Sequence, residues 1–280
     1  MRPNGFVIVI DLALRELRNP YLGSYRKTMI LGAFRENVYY TPGIGLVSLN
    51  PSISHFYRPH IPGGIFPLIW PGPRFMANWH FKKAVAEHHA GRVASAFVQL
   101  GRVSHLLTDM ACPVHAQSVF HSTDPFEWCV EAMKSESLEV ADVPKGRRPS
   151  ELIQGLADYT QSFVAEKTNN PWGALMEQFG MRTKLKTDLV RKQAQELIPK
   201  AAGYTIRLFQ MFLEEIEIPA RWNASMAETL HALQMPPQIL PKWFAQVTRF
   251  CHKHGGRNYY GEILELMEEC RSELQNLHDS

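Results

Sequence analysis

Residues 101–131, "GRVSHLLTDMACPVHAQSVFHSTDPFEWCVE", decide how the chain is read. The stretch holds three histidines, two aspartates and two glutamates, yet it begins as an apolar helix. Val93, Phe97, Leu100, Val103 and Leu107 recur at spacings of three and four, one helical stripe. His105 and Asp109 are four apart, which puts them about 5–6 Å from one another on one helix face. Pro113 stops that helix. His115 follows the break, and His121 lies in the loop beyond. Asp124-Pro125 opens the next helix, with Asp as N-cap and Pro at the first helical position. Glu127 stands at capping-box spacing from Asp124. Neutral imidazole and carboxylate are also the usual donors to zinc. A lone helical histidine is ordinarily a packed or solvated residue, so spacing alone leaves both readings open.

Outward from this stretch the pattern stays helical. Segments 6–18 and 25–34 precede it, and a helical pattern runs over 78–110. Others are expected near 150–166, 171–179, 185–215, 222–234, 238–253 and 258–277, with 185–215 broken into two at Pro199. Residues 37–75 differ. They are rich in proline and glycine ("TPGIG", "RPHIPGG", "WPGPR") with no helical period. Long segments of this kind inside a domain are usually functional or disordered, and Tyr39, Tyr40, Phe56, Tyr57, Phe66 and Trp70 argue against disorder. No strand alternation and no internal repeat are evident. The expected class is all-α: a multi-helix bundle with one long irregular segment, divided into residues 1–218 and a C-terminal helical extension, 219–280.

Composition narrows the function. The 280 residues include 45% hydrophobic ones, enough for a sizeable core, and 30 basic against 27 acidic residues. A net charge of +3 is too balanced to imply nucleic-acid binding by itself. The basic clusters at 145–148 and 184–192 read as a solvated loop and a solvated helix face. No apolar run reaches the about 20 residues that a bilayer span needs. The N-terminal run Phe6–Ile10 is interrupted by Asp11 and Arg15, so it reads as a helix start rather than a signal peptide. The compartment expected from the chain as it stands is cytoplasmic, or secreted or periplasmic if the true start lies upstream. Cys112, Cys129, Cys251 and Cys270 have no zinc-knuckle spacing and no disulfide-framework pattern. His252 and His254 read as a helix C-terminus. The final helix, "NYYGEILELMEECRSELQNL", is amphipathic and suits docking on the core, self-association or a partner contact.

The segment "HLLTDMACPVHAQSVFHSTDPFEWCVE" resembles the zinc-dependent phospholipase C and single-strand-nuclease superfamily, in particular its bacterial phospholipase C/D-domain branch. The shared pattern is a helix bearing H-x3-D, then Pro-x-His, then a loop histidine and a glutamate on the next helix. Three further segments follow in family order: "LGAFREN" resembles the "GA-x-x-ED" stretch, "SISHFYRPHIPGG" the "HFYDP" segment, and "LIPKAAGYTIRLFQMFL" the closing helix. The resemblance covers about residues 5–215.

It implies a zinc-dependent hydrolase that cleaves a phosphodiester, in a phospholipid or in single-stranded nucleic acid. His55, His105 and Asp109 would hold one zinc, with Asn37, or less readily Glu36, in the place of an acidic ligand. His115, His121 and Glu127 would hold a second. Asp109, His55 and Asn37 would be the catalytic set. Glu36, Ser104, Thr108 or backbone carbonyls would fix the histidine tautomers. In the family a third ion is held by an N-terminal amine and by the histidine of a "TH" pair, which here falls on Gly5-Phe6. Phenylalanine cannot ligate zinc, so two Zn2+ ions are expected and the third position lacks its histidine. Asn37 for an acid and the arginine of "HFYRP" are further departures. They motivate an alternative: a degenerate member with structural zinc, acting as a binding scaffold. Cys112 has no counterpart among the implied ligands and reads as packing.

Overall fold

The computed structural model describes residues 1–37, 39–41, 45–47, 55–59, 71–119, 124–140, 142–166, 185–254 and 260–279. Asn37 is described as backbone only, and His60, His121 and the 171–179 segment lie outside the described residues. In chain order the helices are α1 (Pro3–Leu17), α2 (Pro20–Ser24), α3 (Arg26–Asn37), α4 (Pro73–His89), α5 (Val93–Met110), α6 (Pro113–Ala116), α7 (Pro125–Glu131) and α8 (Pro149–Thr160). They continue as α9 (Thr187–Glu215), α10 (Met226–Ala232), α11 (Leu240–His254) and α12 (Tyr260–Asp279). The fold is all-α. One antiparallel ribbon, β1 (Tyr39–Thr41) with β2 (Gly45–Val47), interrupts the segment expected to be irregular. Tyr39, Tyr40, Thr41 and Val47 are good strand formers, but three residues are too few for alternation to show.

Helix α5 is the axis of the bundle. Every residue from Ala94 to Met110 except Arg102 is buried, so this helix is enclosed on nearly all sides. Helices α1, α3, α4, α8, α9 and α10 all pack on it. Its contact with α3 is made at two glycines. A Cβ on Gly32 would lie 2.2 Å from the Val98 carbonyl oxygen, and one on Gly101 would lie 2.0 Å from that of Met29. No side chain fits at either point, and the two backbones therefore meet directly. That approach sets the end of α3, with Glu36, beside Arg102 and the His105 turn of α5. At the other end Gly91, with φ +76, separates α4 from α5, a conformation glycine adopts without steric cost.

Helix α9 runs unbroken through Pro199, where the sequence suggested two helices. Leu197, Ile198, Ala201 and Ala202 are all fully buried, so both halves face the same core. The carbonyl deprived of a partner by the proline is that of Gln195, an exposed residue. The freed acceptor is thus on the solvent side, where a missing helix bond is tolerated.

The C-terminal helices lie on the N-terminal ones. Thr28 and Thr229 share a hydroxyl hydrogen bond of 2.9 Å, Arg26 pairs with both Asp11 and Glu262, and Lys27 pairs with Glu269. Four apolar side chains of α12, Ile263, Leu266, Met267 and Leu274, are buried in the chain's own core, while Leu277 is exposed. No described helix is long and apolar enough to cross a membrane.

The glycine crossing makes a direct prediction. Gly101→Ala should destabilise the protein by about 1–3 kcal/mol or more, because the overlap is with backbone and cannot be relieved by a rotamer change. Gly23→Ala, where an added Cβ meets nothing within 4 Å, should cost little. Urea unfolding of the two variants checks the difference; equal midpoints would contradict the backbone contact.

Candidate metal centre

The last turns of α5 carry His105 and Asp109 into the interior, both fully buried. Three further segments converge on them. The short stretch 55–59 brings His55; it is fastened to α6 by Tyr57 N–H donating to the His115 carbonyl at 3.0 Å and by Ser118 Oγ donating to the Tyr57 carbonyl at 2.5 Å. Tyr57 also donates its hydroxyl to Asp158 on α8. The break at Pro113 turns His115 back toward the same region. Asp124 caps α7 by accepting from Phe126 N–H at 3.3 Å, which places Glu127 in its first turn.

Two groups of donor atoms result. In the first, Asp109 Oδ2 lies 2.5 Å from His55 Nδ1 and 3.2 Å from His105 Nε2. In the second, donor atoms of Cys112, His115 and Glu127 lie within 4.8 Å of one another. His115 Nε2 is 3.4 Å from Glu127 Oε1. Both groups are buried, and either could hold a metal ion.

The donor chemistry fits a cation. Asp109 Oδ2 and His105 Nε2 are buried and close, yet neither makes a hydrogen bond of proper geometry among the described residues. Two such atoms facing one another are costly without a positive charge between or beside them. Burial pushes the His105 imidazole below its ordinary range, against the opposing pull of Asp109, which favours its neutral form. At His115, Nδ1 lies 3.2 Å from the His55 carbonyl. A carbonyl only accepts, so Nδ1 carries the proton and Nε2 presents its lone pair toward Glu127. One residue, His55, therefore serves both groups: its ring joins the first and its carbonyl orients the second.

The positive charge present is that of the Met1 amine. It donates to Asp109 Oδ1 and lies 3.1 Å from Glu127 Oε1. Burial by itself would lower its pKa, but Asp109 and Glu127 outweigh that and raise it from 8.0 to about 11. Asp109 responds in the opposite direction. Burial would raise its pKa, yet the amine first and then the histidines hold it well below the ordinary carboxylate range. Arg2 contributes a more distant contact, its Nε 4.0 Å from Glu127 Oε2, and its guanidinium covers the Trp128 ring. Asn4 ties this end of α1 to Glu131 on α7.

Gly5-Phe6, where the resemblance would place a threonine-histidine pair, has a clear physical role. A Cβ on Gly5 would lie 2.4 Å from Met1 Cγ, so the glycine leaves room for the Met1 side chain. Phe6 is fully buried, with its ring 5.2 Å from the His105 ring and 5.0 Å from that of Phe34. It walls the first group without offering a donor.

Behind the first group stands a charged layer built on Glu36. Glu36 is fully buried; it accepts from Arg102 Nε at 2.5 Å, and its carboxylate is 3.9 Å from His55 Nε2. His80, also fully buried, lies 3.8 Å from the same carboxylate and 2.7 Å from Gln99 Oε1. Burial, then Arg102, lowers its pKa to about 4. In the sequence His80, with His88 and His89, is a weaker candidate on the helix preceding α5; it falls on the buried stripe of α4 with Ala77, Phe81 and Ala84. Ser104 and Thr108, considered as partners for the imidazoles, instead donate to carbonyls of their own helix, Leu100 and Ser104. His88 and His89 bond Tyr21 and the Glu215 carbonyl, away from the site. Cys112, Cys129 and Cys270 are free thiols.

Of the sequence-derived ligands, His55, His105 and Asp109 come together, and His115 and Glu127 form the neighbouring pair. Asn37's side chain and His121 lie outside the description. The chain matches no protein-family model and no curated protein.

The buried pair of Asp109 with the Met1 amine should be measurable in metal-free protein. Asp109→Asn at neutral pH should cost about 3 kcal/mol, the lower end of the penalty for breaking a buried ion pair, because Glu127 still faces the amine. The amine's contribution is complete below its unfolded value of 8.0 and is lost as pH rises through about 11. The gap between parent and variant should therefore close at strongly alkaline pH. Denaturant unfolding at both pH values tests this; a variant as stable as the parent at neutral pH would contradict the pairing.

Proposed function

We propose that the chain is a zinc-dependent hydrolase of phosphodiesters, of the phospholipase C and single-strand-nuclease type. The observation that carries the proposal is the convergence of His55, His105 and Asp109 in one buried group, with His115 and Glu127 adjacent. They come from the 55–59 stretch, α5, α6 and α7, and their meeting supports the reading that the resemblance implies.

In this reading His55, His105 and Asp109 hold one ion, and His115, Glu127 and His121 a second. Zinc so held would polarise the phosphoryl oxygens, supply hydroxide near neutral pH and stabilise the leaving oxygen. The chain's own groups prepare for that. Asp109 remains ionised through its neighbours, and burial favours the neutral form of His105. The His55 carbonyl fixes the tautomer of His115. Glu36, anchored by Arg102, lies 3.9 Å from the second nitrogen of His55, on the side where a ligating histidine usually has its partner, though beyond direct hydrogen-bond reach.

Phe6 favours a second reading. A hydrocarbon ring beside His105, in the place of a ligand, suits a site where zinc only holds helices together. In that case the chain is a scaffold.

Turnover decides between the two. Zinc-loaded protein should hydrolyse bis-p-nitrophenyl phosphate, and either phosphatidylcholine or single-stranded DNA should be the better natural-type substrate. His115→Ala should lower the rate by more than about a hundredfold, beyond the loss typical of outer-shell changes. Zinc that binds and raises the melting temperature without any turnover would establish the scaffold. Protein that folds well and takes up no zinc would refute both readings.

A further inference from the structure

The sulfur of Cys112 is the one donor in the two groups that the family resemblance does not account for. It sits at the junction of α5 and α6, between Asp109 and Pro113, with no solvent exposure. Cys112 is the N-cap residue of α6 in extended conformation (φ -90, ψ 119). Its side chain is directed across to the start of α7, where Sγ donates to Asp124 Oδ2 at 3.1 Å. Asp124 in turn caps α7. The thiol is thus held between two helix starts, within 4.8 Å of the donor atoms of His115 and Glu127.

We propose that Cys112 is a metal ligand, joining His115 and Glu127 at the second site and adding sulfur to its nitrogen and oxygen donors. The proposal rests on the zinc-binding reading above and deepens it by naming a donor and an ion class. Three observations support it. The three donors come from two consecutive helical segments fixed to one another: Cys112 caps α6, which carries His115, and Asp124 both receives the thiol and starts the helix bearing Glu127. The tautomer of His115 already turns its lone pair inward. The three residues are buried, which shields a sulfur there from oxidation and exchange.

Ligation converts the thiol to a thiolate. The S–H bond breaks, its electron pair stays on sulfur and forms the bond to the metal, and the proton leaves to solvent. The hydrogen bond to Asp124 is given up in that step. The carboxylate of Asp124 keeps its helix-capping bond to Phe126. The consequence is a difference between the two sites. The His55, His105 and Asp109 group offers only nitrogen and oxygen. The Cys112 group includes a soft donor and prefers zinc, cobalt or cadmium over magnesium or calcium. A thiolate gives more electron density to the ion than a carboxylate does, so the first site is the stronger Lewis acid and the better place to activate water.

The test is cobalt(II) substitution of the full-length chain, read by absorption spectroscopy rather than by activity. The expected result is a near-ultraviolet thiolate-to-cobalt charge-transfer band as well as the visible ligand-field bands. Cys112→Ser should abolish the charge-transfer band and leave the ligand-field bands of the first site. A variant in which Cys129, Cys251 and Cys270 are replaced by serine, retaining Cys112 alone, should keep the charge-transfer band. That second variant answers the question even if Cys112→Ser fails to fold. Cobalt bound with ligand-field bands but no charge-transfer band would overturn the Cys112 assignment while leaving the zinc-hydrolase reading intact. A charge-transfer band that survives in Cys112→Ser would overturn it as well. Failure to bind cobalt at all would overturn both.

Discussion

The rest of the structure depends on a carboxylate buried without access to water. Asp109 is fully enclosed at the inner end of α5, and an ionised carboxylate in that position is tolerable only with positive charge and hydrogen-bond donors around it. The elements that surround it supply them: α1 through the Met1 amine, the 55–59 stretch through His55, and α5 itself through His105. Each of these is fixed by something else. Gly32 and Gly101 let α3 lie against α5, Tyr57 pins the His55 stretch to α6 and α8, and Asn4 joins α1 to α7. The packing of the bundle thus serves a single buried charge.

This arrangement also explains why the site has depth. Polar atoms deep in a core must be satisfied in turn by others. His55 faces Asp109 on one side and Glu36 on the other; Glu36 is held by Arg102, and His80 completes the layer through Gln99. The rings of His115 and His80 are held by the His55 carbonyl and by Gln99. Such a layer is what ligating side chains need in order to be oriented before an ion arrives.

Much of this was legible in the sequence, and the reason is period. The stripe from Val93 to Leu107 announced α5, and a histidine and aspartate four apart on it announced a shared face. Asp124-Pro125 marked the start of α7. What could not be read were relations across the chain. Nothing in "GAFREN" says that Glu36 meets Arg102, because that contact arises from two glycines sixty-nine residues apart in sequence. The Met1 amine could not be placed by spacing, since its position follows from how α1 packs against α7. Pro199 misled because a proline normally ends a helix, whereas here both halves bury the same face. Cys112 read as packing because a buried thiol usually is packing; only its distance to His115 and Glu127 in three dimensions raised another role.

The central claim is that the two buried donor groups are metal sites. Diffraction from crystals of zinc-loaded protein, recorded on both sides of the zinc absorption edge, tests it most directly. Two anomalous peaks are predicted, one among His55, His105 and Asp109 and one beside His115 and Glu127. Crystals grown in zinc that show no peak at either position, with Asp109 still bonded to the Met1 amine, would contradict it.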